Sequence, residues 1–149
     1  MLLPKISEAA VLVLATTVYV DGVSGPMKNL LDRILPLAHP FIMLRNGHCR
    51  HHSRIEHKGW KLVTVANSGF WEMDNFDPLL AHMKALCKNR GSEFARALLR
   101  PHGPALRGMM DMPVVFDSAK AAGRQLVENG KMSPETLKVV SRELLPLKM

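Results

Sequence analysis

"ATTVYVDGVSGPMKNLLDR", from Ala15 to Arg33, decides how this chain is read. An apolar run ends in it, a short stretch holding Gly22 and Gly25 turns the chain, and an amphipathic segment opens at Pro26. Just upstream, Ala9 to Thr16 (AAVLVLAT) is apolar on both faces and partly β-branched. That is the pattern of a strand covered on both sides, as in a parallel sheet. Downstream, Met27, Leu30, Leu31, Ile34 and Leu35 recur at helical spacing on one stripe. Pro36 and Pro40 are expected to end that helix.

The same unit recurs further along. Residues 44–59 are polar and read as a loop, with Asn46-Gly47 as a turn signal. Trp60 to Ala66 reads as a second strand, and Asn67 to Asn75 as a second loop. Asp77-Pro78 opens a helix whose apolar face is Leu79, Leu80, Met83, Leu86 and Cys87, and Asn89 to Gly91 closes it. Phe94 to Leu99 reads as a third strand. Two helices are expected in about 113–145. The first has Val115, Ala119, Ala122 and Leu126 as its stripe, and the second starts at Ser133-Pro134. Strands alternating with helices predict a single α/β domain over 1–149, with a parallel sheet and helices on both faces. In such sheets ligands bind beyond the carboxyl ends of the strands. The loops Thr16–Gly25 and Asn67–Asn75 are expected at two such ends.

Composition narrows the function classes. The chain has 149 residues and is 47% apolar, enough for a real core. Its longest apolar run, Ala9 to Ala15, is far short of the ~20 residues that span a bilayer, so no membrane association is expected. Two cysteines, Cys49 and Cys87, form no disulfide framework. With no secretory leader legible, a cytoplasmic protein is expected. The net charge of +7 favours anionic partners. The basic residues are scattered and aromatics make up only 5%, so nucleic acid is not expected.

Each of the two loops combines glycine, hydroxyl groups, an aromatic residue and backbone amides near a helix start. Such amides suit a polar or anionic ligand, and Tyr19, Phe70 or Trp71 would cover one face of a flat heterocycle. Glycine and serine also join strands to helices in α/β proteins that bind nothing there. Neither a G-x-x-x-x-G-K nor a G-x-G-x-x-G motif is present.

"VLVLATTVYVDGVSGPMKNLLDRI" (Val11–Ile34) and "KLVTVANSGFWEMDNFDPLLAHMKALCKN" (Lys61–Asn89) resemble the flavodoxin-like, NADPH-dependent FMN reductase family, including its iron–sulfur flavoprotein branch. The resemblance covers roughly residues 5–100. It rests on T-P-x-Y-x-x-x-x-S-G-x-x-K-x-x-x-D-R after one strand and S-x-x-G-F/G after the next, with Thr17 standing where the family has proline. It implies a flavodoxin-like fold and an NAD(P)H-dependent oxidoreductase that transfers hydride or electrons through FMN. It further implies that Thr16, Thr17, Val18, Tyr19, Ser24, Gly25, Ser68, Gly69 and Phe70 contact the flavin. No catalytic side chain is assigned, because the cofactor carries the chemistry.

The family's own first strand, phosphate-binding loop and cluster cysteines precede the matched segment and have no counterpart in this sequence. The resemblance therefore reads the chain as an N-terminally truncated flavodoxin-like domain. Weak discrimination between FMN and riboflavin is expected. No iron–sulfur cluster is expected, since two distant cysteines cannot supply four thiolates. Because strand one lies beside strand three in the order 2-1-3-4-5, an open apolar edge and a homo-oligomer, most simply a dimer, are expected. The alternative function is a non-catalytic flavodoxin-like module that acts by self-association or by pairing with another chain.

The remaining clusters read as follows. "HCRHH" (His48–His52) has metal-ligating residue types. With no spaced second pair, it reads as a solvated loop, with a metal site or an anion or partner contact as alternatives. Asp21, Glu72, Asp74 and Asp77 are acids near the expected crevice. Glu72 is placed to touch a bound ring or its substrate, but helix capping is the commoner role of such residues, and Asp77 before Pro78 fits a cap. Lys84, Lys88 and Arg90 read as a solvated helix end, and Cys87 as a buried small hydrophobe. Met109, Met110 and Met112 are expected at a subunit contact.

Overall fold

The computed structural model describes residues 2–55, 60–107 and 112–147. Its elements in chain order are α1 (Leu2–Glu8), β1 (Val11–Tyr19), β2 (Gly22–Val23), α2 (Gly25–Arg33), β3 (Ala38–Arg45), β4 (His48–Ser53), β5 (Lys61–Asn67), α3 (Asp77–Arg90), β6 (Glu93–Arg100), α4 (Met112–Asn129) and α5 (Pro134–Ser141). The fold is α/β, around a four-stranded sheet ordered β2-β1-β5-β6. β1, β5 and β6 run parallel and in chain order, with Val13 beside Val63 and Val65 beside Leu98. A bulge at Ala95 lets Leu62 face Phe94 while Val63 faces Arg96. The expected all-parallel sheet is corrected to a mixed one, because β2 adds an antiparallel pair at Val18–Val23 and Tyr19–Gly22.

That short pairing explains the tight turn in the opening stretch. β1 continues through Tyr19, and Val20 and Asp21 both take left-handed backbone angles, φ 45° and 59°. The chain reverses in two residues and enters α2 directly. A β-branched residue in that region is strained, and Val20 is also 99% exposed.

Alternation along the strands sends side chains to two cores. On one face Leu14, Leu62, Ala66 and Leu99 pack under α1, α2 and α3, through Ile6, Leu31, Phe76, Leu79 and Met83. On the other, Val63 and Leu98 pack under α4 and α5, through Val115, Ala122, Leu126 and Val140. Helices thus cover both faces. Ser133 caps α5 by accepting the Thr136 amide at 3.2 Å, and α5 ends at Ser141. Asp77 is the first residue of α3 but makes no capping hydrogen bond. Its carboxylate there still complements the helix dipole.

The polar loop expected at residues 44–59 is instead an antiparallel hairpin over its described part, β3 with β4, closed by Asn46 and Gly47 at φ 53° and 74°. Pro40 lies within β3, and Leu35, expected on the buried stripe, is exposed in a 3-10 turn. Arg45 docks the hairpin on α3. Its Nη2 donates to the carbonyls of Lys88 (3.0 Å) and Asn89 (2.8 Å). Gly91 ends α3 at φ 72°, where a Cβ would sit 2.8 Å from Arg45 Nη1. Arg90 is likewise not solvated. It is half-buried, donates to the Ile34 carbonyl at 2.7 Å, and lies 5.3 Å from the Trp60 ring centre.

Cys87 packs in the first core, and burial pushes its thiol from 9.0 up to about 11. A thiol reagent at pH 8 should label exposed Cys49 in the native chain and Cys87 only on unfolding. Because the folded state holds the Cys87 proton more tightly, this group's contribution is intact below pH 9.0 and is lost as pH rises through about 11. Equal native labelling rates at the two thiols would contradict this packing.

Met112 opens α4, whereas Met109 and Met110 lie outside the described residues. Among the described residues, no helix is long and apolar enough to cross a membrane and no group of three metal-ligating side chains comes together. The "HCRHH" residues form β4, so the reading as a loop is corrected.

Candidate functional site

A groove of about 560 Å³ opens over the carboxyl-terminal halves of the three parallel strands. β1 contributes Ala15, Thr16, Thr17 and Tyr19, β5 contributes Val65 and Asn67, and β6 contributes Leu98 and Arg100. The far wall is the apolar side of α4 at Val115, Phe116 and Ala119. The volume falls within the range of about 300–1,000 Å³ typical of small-molecule sites, and an apolar body with a few convergent polar groups is their usual make-up.

The polar mouth is organised by Thr16. Its Oγ1 accepts the Ser24 amide at 3.1 Å and sits 3.3 Å from Ser24 Oγ. This ties the end of β1 to the residue preceding α2, so both hydroxyls border the groove in a set relation. Tyr19 is exposed beside them. Val18 points the other way, packing against the first core, and Gly25 is the exposed first residue of α2.

The second loop is placed differently. Ser68 is buried, and its hydroxyl closes a local turn, accepting the Phe70 amide at 3.0 Å and lying 3.2 Å from the Phe70 carbonyl. The Ser68 amide donates to the Arg100 carbonyl, and the Ser68 and Phe70 carbonyls accept from Gly103 and His102. Gly69 and Phe70 remain exposed. The loop is thereby stitched to the segment after β6. Gly103 passes so close to Asn67 that a Cβ would lie 2.9 Å from Asn67 Nδ2. Of the nine residues expected at a flavin, Thr16, Thr17, Tyr19 and Ser24 converge on the groove wall, while Ser68, Gly69 and Phe70 lie in the adjoining loop. Trp71 turns toward the segments after β6 and α5, stacking on His102 (3.6 Å between ring centres) and donating to the Leu145 carbonyl at 2.8 Å. Glu72 lines that same side.

No family model, curated protein or solved structure matches this chain. The site therefore stands on its own geometry.

Sequence reasoning missed two residues of that geometry. His102 follows β6 in a left-handed conformation (φ 47°), and its Nδ1 is buried without a hydrogen-bond partner among the described residues. Arg100 ends β6 and is 6% exposed. Its Nε donates to the Pro101 carbonyl (2.7 Å) and its Nη1 to the Val140 carbonyl (2.8 Å). Burial, and secondarily the charge of nearby Arg142, lower its pKa from the ordinary arginine value. The only hint in the sequence is a charged residue closing an otherwise apolar strand before Pro101.

Proposed function

We propose that the chain is a flavodoxin-like, FMN-binding oxidoreductase that takes electrons from NAD(P)H, works in the cytoplasm and self-associates as a dimer. The observation that carries the reading is the groove over the carboxyl ends of β1, β5 and β6. It pairs a hydroxyl-lined mouth at Thr16, Thr17 and Ser24 with an apolar body at Val65, Leu98 and Phe116. A planar ring with one polar edge suits such a site. Three parallel neighbours in chain order are also what the last three strands of the order 2-1-3-4-5 require. The resemblance of Val11–Ile34 to the family's first flavin loop lies at this same mouth.

In this reading the protein's task is to bind and orient. The Thr16–Ser24 pair presents hydroxyls to the ring edge, Tyr19 covers a face, and the α4 wall excludes water. Bound FMN would accept hydride from the nicotinamide and pass electrons to an acceptor. Titrating the purified chain into FMN and riboflavin, followed by flavin fluorescence, tests the reading. Quenching with saturation in the micromolar range is expected for at least one of them. No change up to high micromolar protein would remove the oxidoreductase reading.

One observation favours a non-catalytic, self-associating module. Among the described residues, no strand pairs with the outer side of β1 over Val11–Thr17, and Val13 and Val65 are exposed on the sheet face beside the groove. A colourless oligomer that takes up no flavin would select this second reading.

A further inference from the structure

From the burial and bonding of Arg100, we infer that it is the anion anchor of the groove, holding the phosphate of FMN or an equivalent anionic group on a planar ligand. The inference deepens the flavin reading and rests on it for the choice of ligand. It reverses the sequence-based expectation of weak discrimination between FMN and riboflavin.

Arginine stays charged in proteins, and burying a charge is costly unless it is compensated. The ion pairs among the described residues join Lys28 to Asp32, Lys61 to Glu93 and Lys120 to Asp117. None involves Arg100, so its charge has no carboxylate counterpart among those residues. The carbonyls of Pro101 and Val140 satisfy Nε and one hydrogen of Nη1. They fix the guanidinium in place and leave its charge unneutralised. Nη2 donates to no protein atom among the described residues, and Arg100 lines both the groove and the neighbouring cleft beside Glu72 and Glu143. A guanidinium held by two carbonyls with one nitrogen left unbonded is prearranged for a phosphate or carboxylate. Its position in the groove wall, with Thr16, Thr17 and Asn67, puts that charge within the site whose body suits a planar ring.

The purely structural role, tying the end of β6 to α5, explains two hydrogen bonds. It does not explain a cation, since an asparagine or glutamine would make such bonds at lower desolvation cost.

The test compares dissociation constants for FMN and riboflavin by fluorescence titration in the wild type, Arg100→Lys and Arg100→Gln. The wild type should prefer FMN by at least about tenfold, equivalent to about 1.4 kcal/mol. Arg100→Lys should keep part of that preference. Arg100→Gln should lower it to about one, with the larger loss of affinity falling on FMN. Inorganic phosphate should compete with FMN in the wild type and leave riboflavin binding untouched, a measurement that stands even if Arg100→Gln does not fold. Equal affinities in the wild type would overturn the anchor and leave the flavin reading intact. An FMN preference that survives in Arg100→Gln would also overturn it. If neither flavin binds, the flavin reading falls, and phenyl phosphate decides the anchor. A rise in the wild-type melting temperature that shrinks in Arg100→Lys and is lost in Arg100→Gln keeps the anchor; no rise, or one unchanged in both variants, rejects it.

Discussion

Replacing Trp60 with alanine is expected to remove about 3–5 kcal/mol of stability, the usual cost of deleting a buried large aromatic side chain. Trp60 is 1% exposed and links three elements. Its Nε1 donates to the Ile6 carbonyl at 2.9 Å, which holds α1 on the core. Its ring lies beneath the Arg90 guanidinium, which in turn donates to the Ile34 carbonyl beyond α2. The substitution would leave a cavity, free the end of α1 and strand a half-buried cation. Domains of this kind have about 5–15 kcal/mol in total, so the loss is a large fraction of stability. The melting temperature should fall by roughly 6–20 °C, given about 2–4 °C per kcal/mol at this size. Trp60→Phe separates the contributions. It keeps most of the apolar volume and loses the indole N–H, a change of about 1 kcal/mol. Circular dichroism melts of the three proteins decide the matter. A fall under about 3 °C for Trp60→Ala would show that this hub does not hold the helices.

The second large effect concerns association through β1. The dimer proposed above would use the uncovered strip beside the outer edge of β1. Val13 is 54% exposed there although its neighbours Leu12 and Leu14 pack into the first core. Burial contributes ~25 cal/mol per Å², so covering several hundred Å² across a two-fold interface favours pairing by several kcal/mol before the entropic cost of association. Light scattering after size exclusion should find a dimer at micromolar concentration. Val13→Lys places a charge in that strip and should raise the dissociation constant by at least about 100-fold, equivalent to about 2.7 kcal/mol. Because Val13 is already exposed in the single chain, the variant should keep its native circular dichroism spectrum. A wild-type monomer at those concentrations would refute self-association, and an unchanged Val13→Lys dimer would place the interface elsewhere.

The parallel strands and the helices α2 to α5 could be read locally. β1 and β5 are short apolar runs bounded by turn residues, and the helices carry one-sided stripes whose Leu31, Leu79, Met83, Val115, Ala122 and Leu126 are buried as spaced. Strand and helix periods are properties of a few consecutive residues, so they survive without knowledge of the neighbours. The hairpin β3–β4 did not stand out for the converse reason. Phe41, Ile42 and Leu44 are exposed and β4 is histidine- and arginine-rich, so no buried face imposed an alternation. Only the Asn46-Gly47 turn was visible. α1 was missed because its seven residues bury just Ile6, too little to show a period.

The groove mouth at Thr16, Thr17, Tyr19 and Ser24 could be placed from the sequence because one strand–turn–helix unit builds it. The partners of the second loop could not. Ser68 bonds to Phe70 and to groups after β6, and Trp71 stacks on His102 across the ends of two strands. Those contacts depend on which strands are neighbours. The roles of the arginines were likewise decided only in three dimensions. Arg45 closes the end of α3, Arg90 sits beside Trp60, and Arg100 is buried in the groove wall, yet all three look alike as charged letters in a basic chain. Burial and hydrogen-bond partners are set by packing between segments distant in sequence. The chain by itself therefore determined where the three parallel strands and the helices α2 to α5 form, and the tertiary structure decided the hairpin, α1, and which charges face solvent, which face carbonyls and which line the groove.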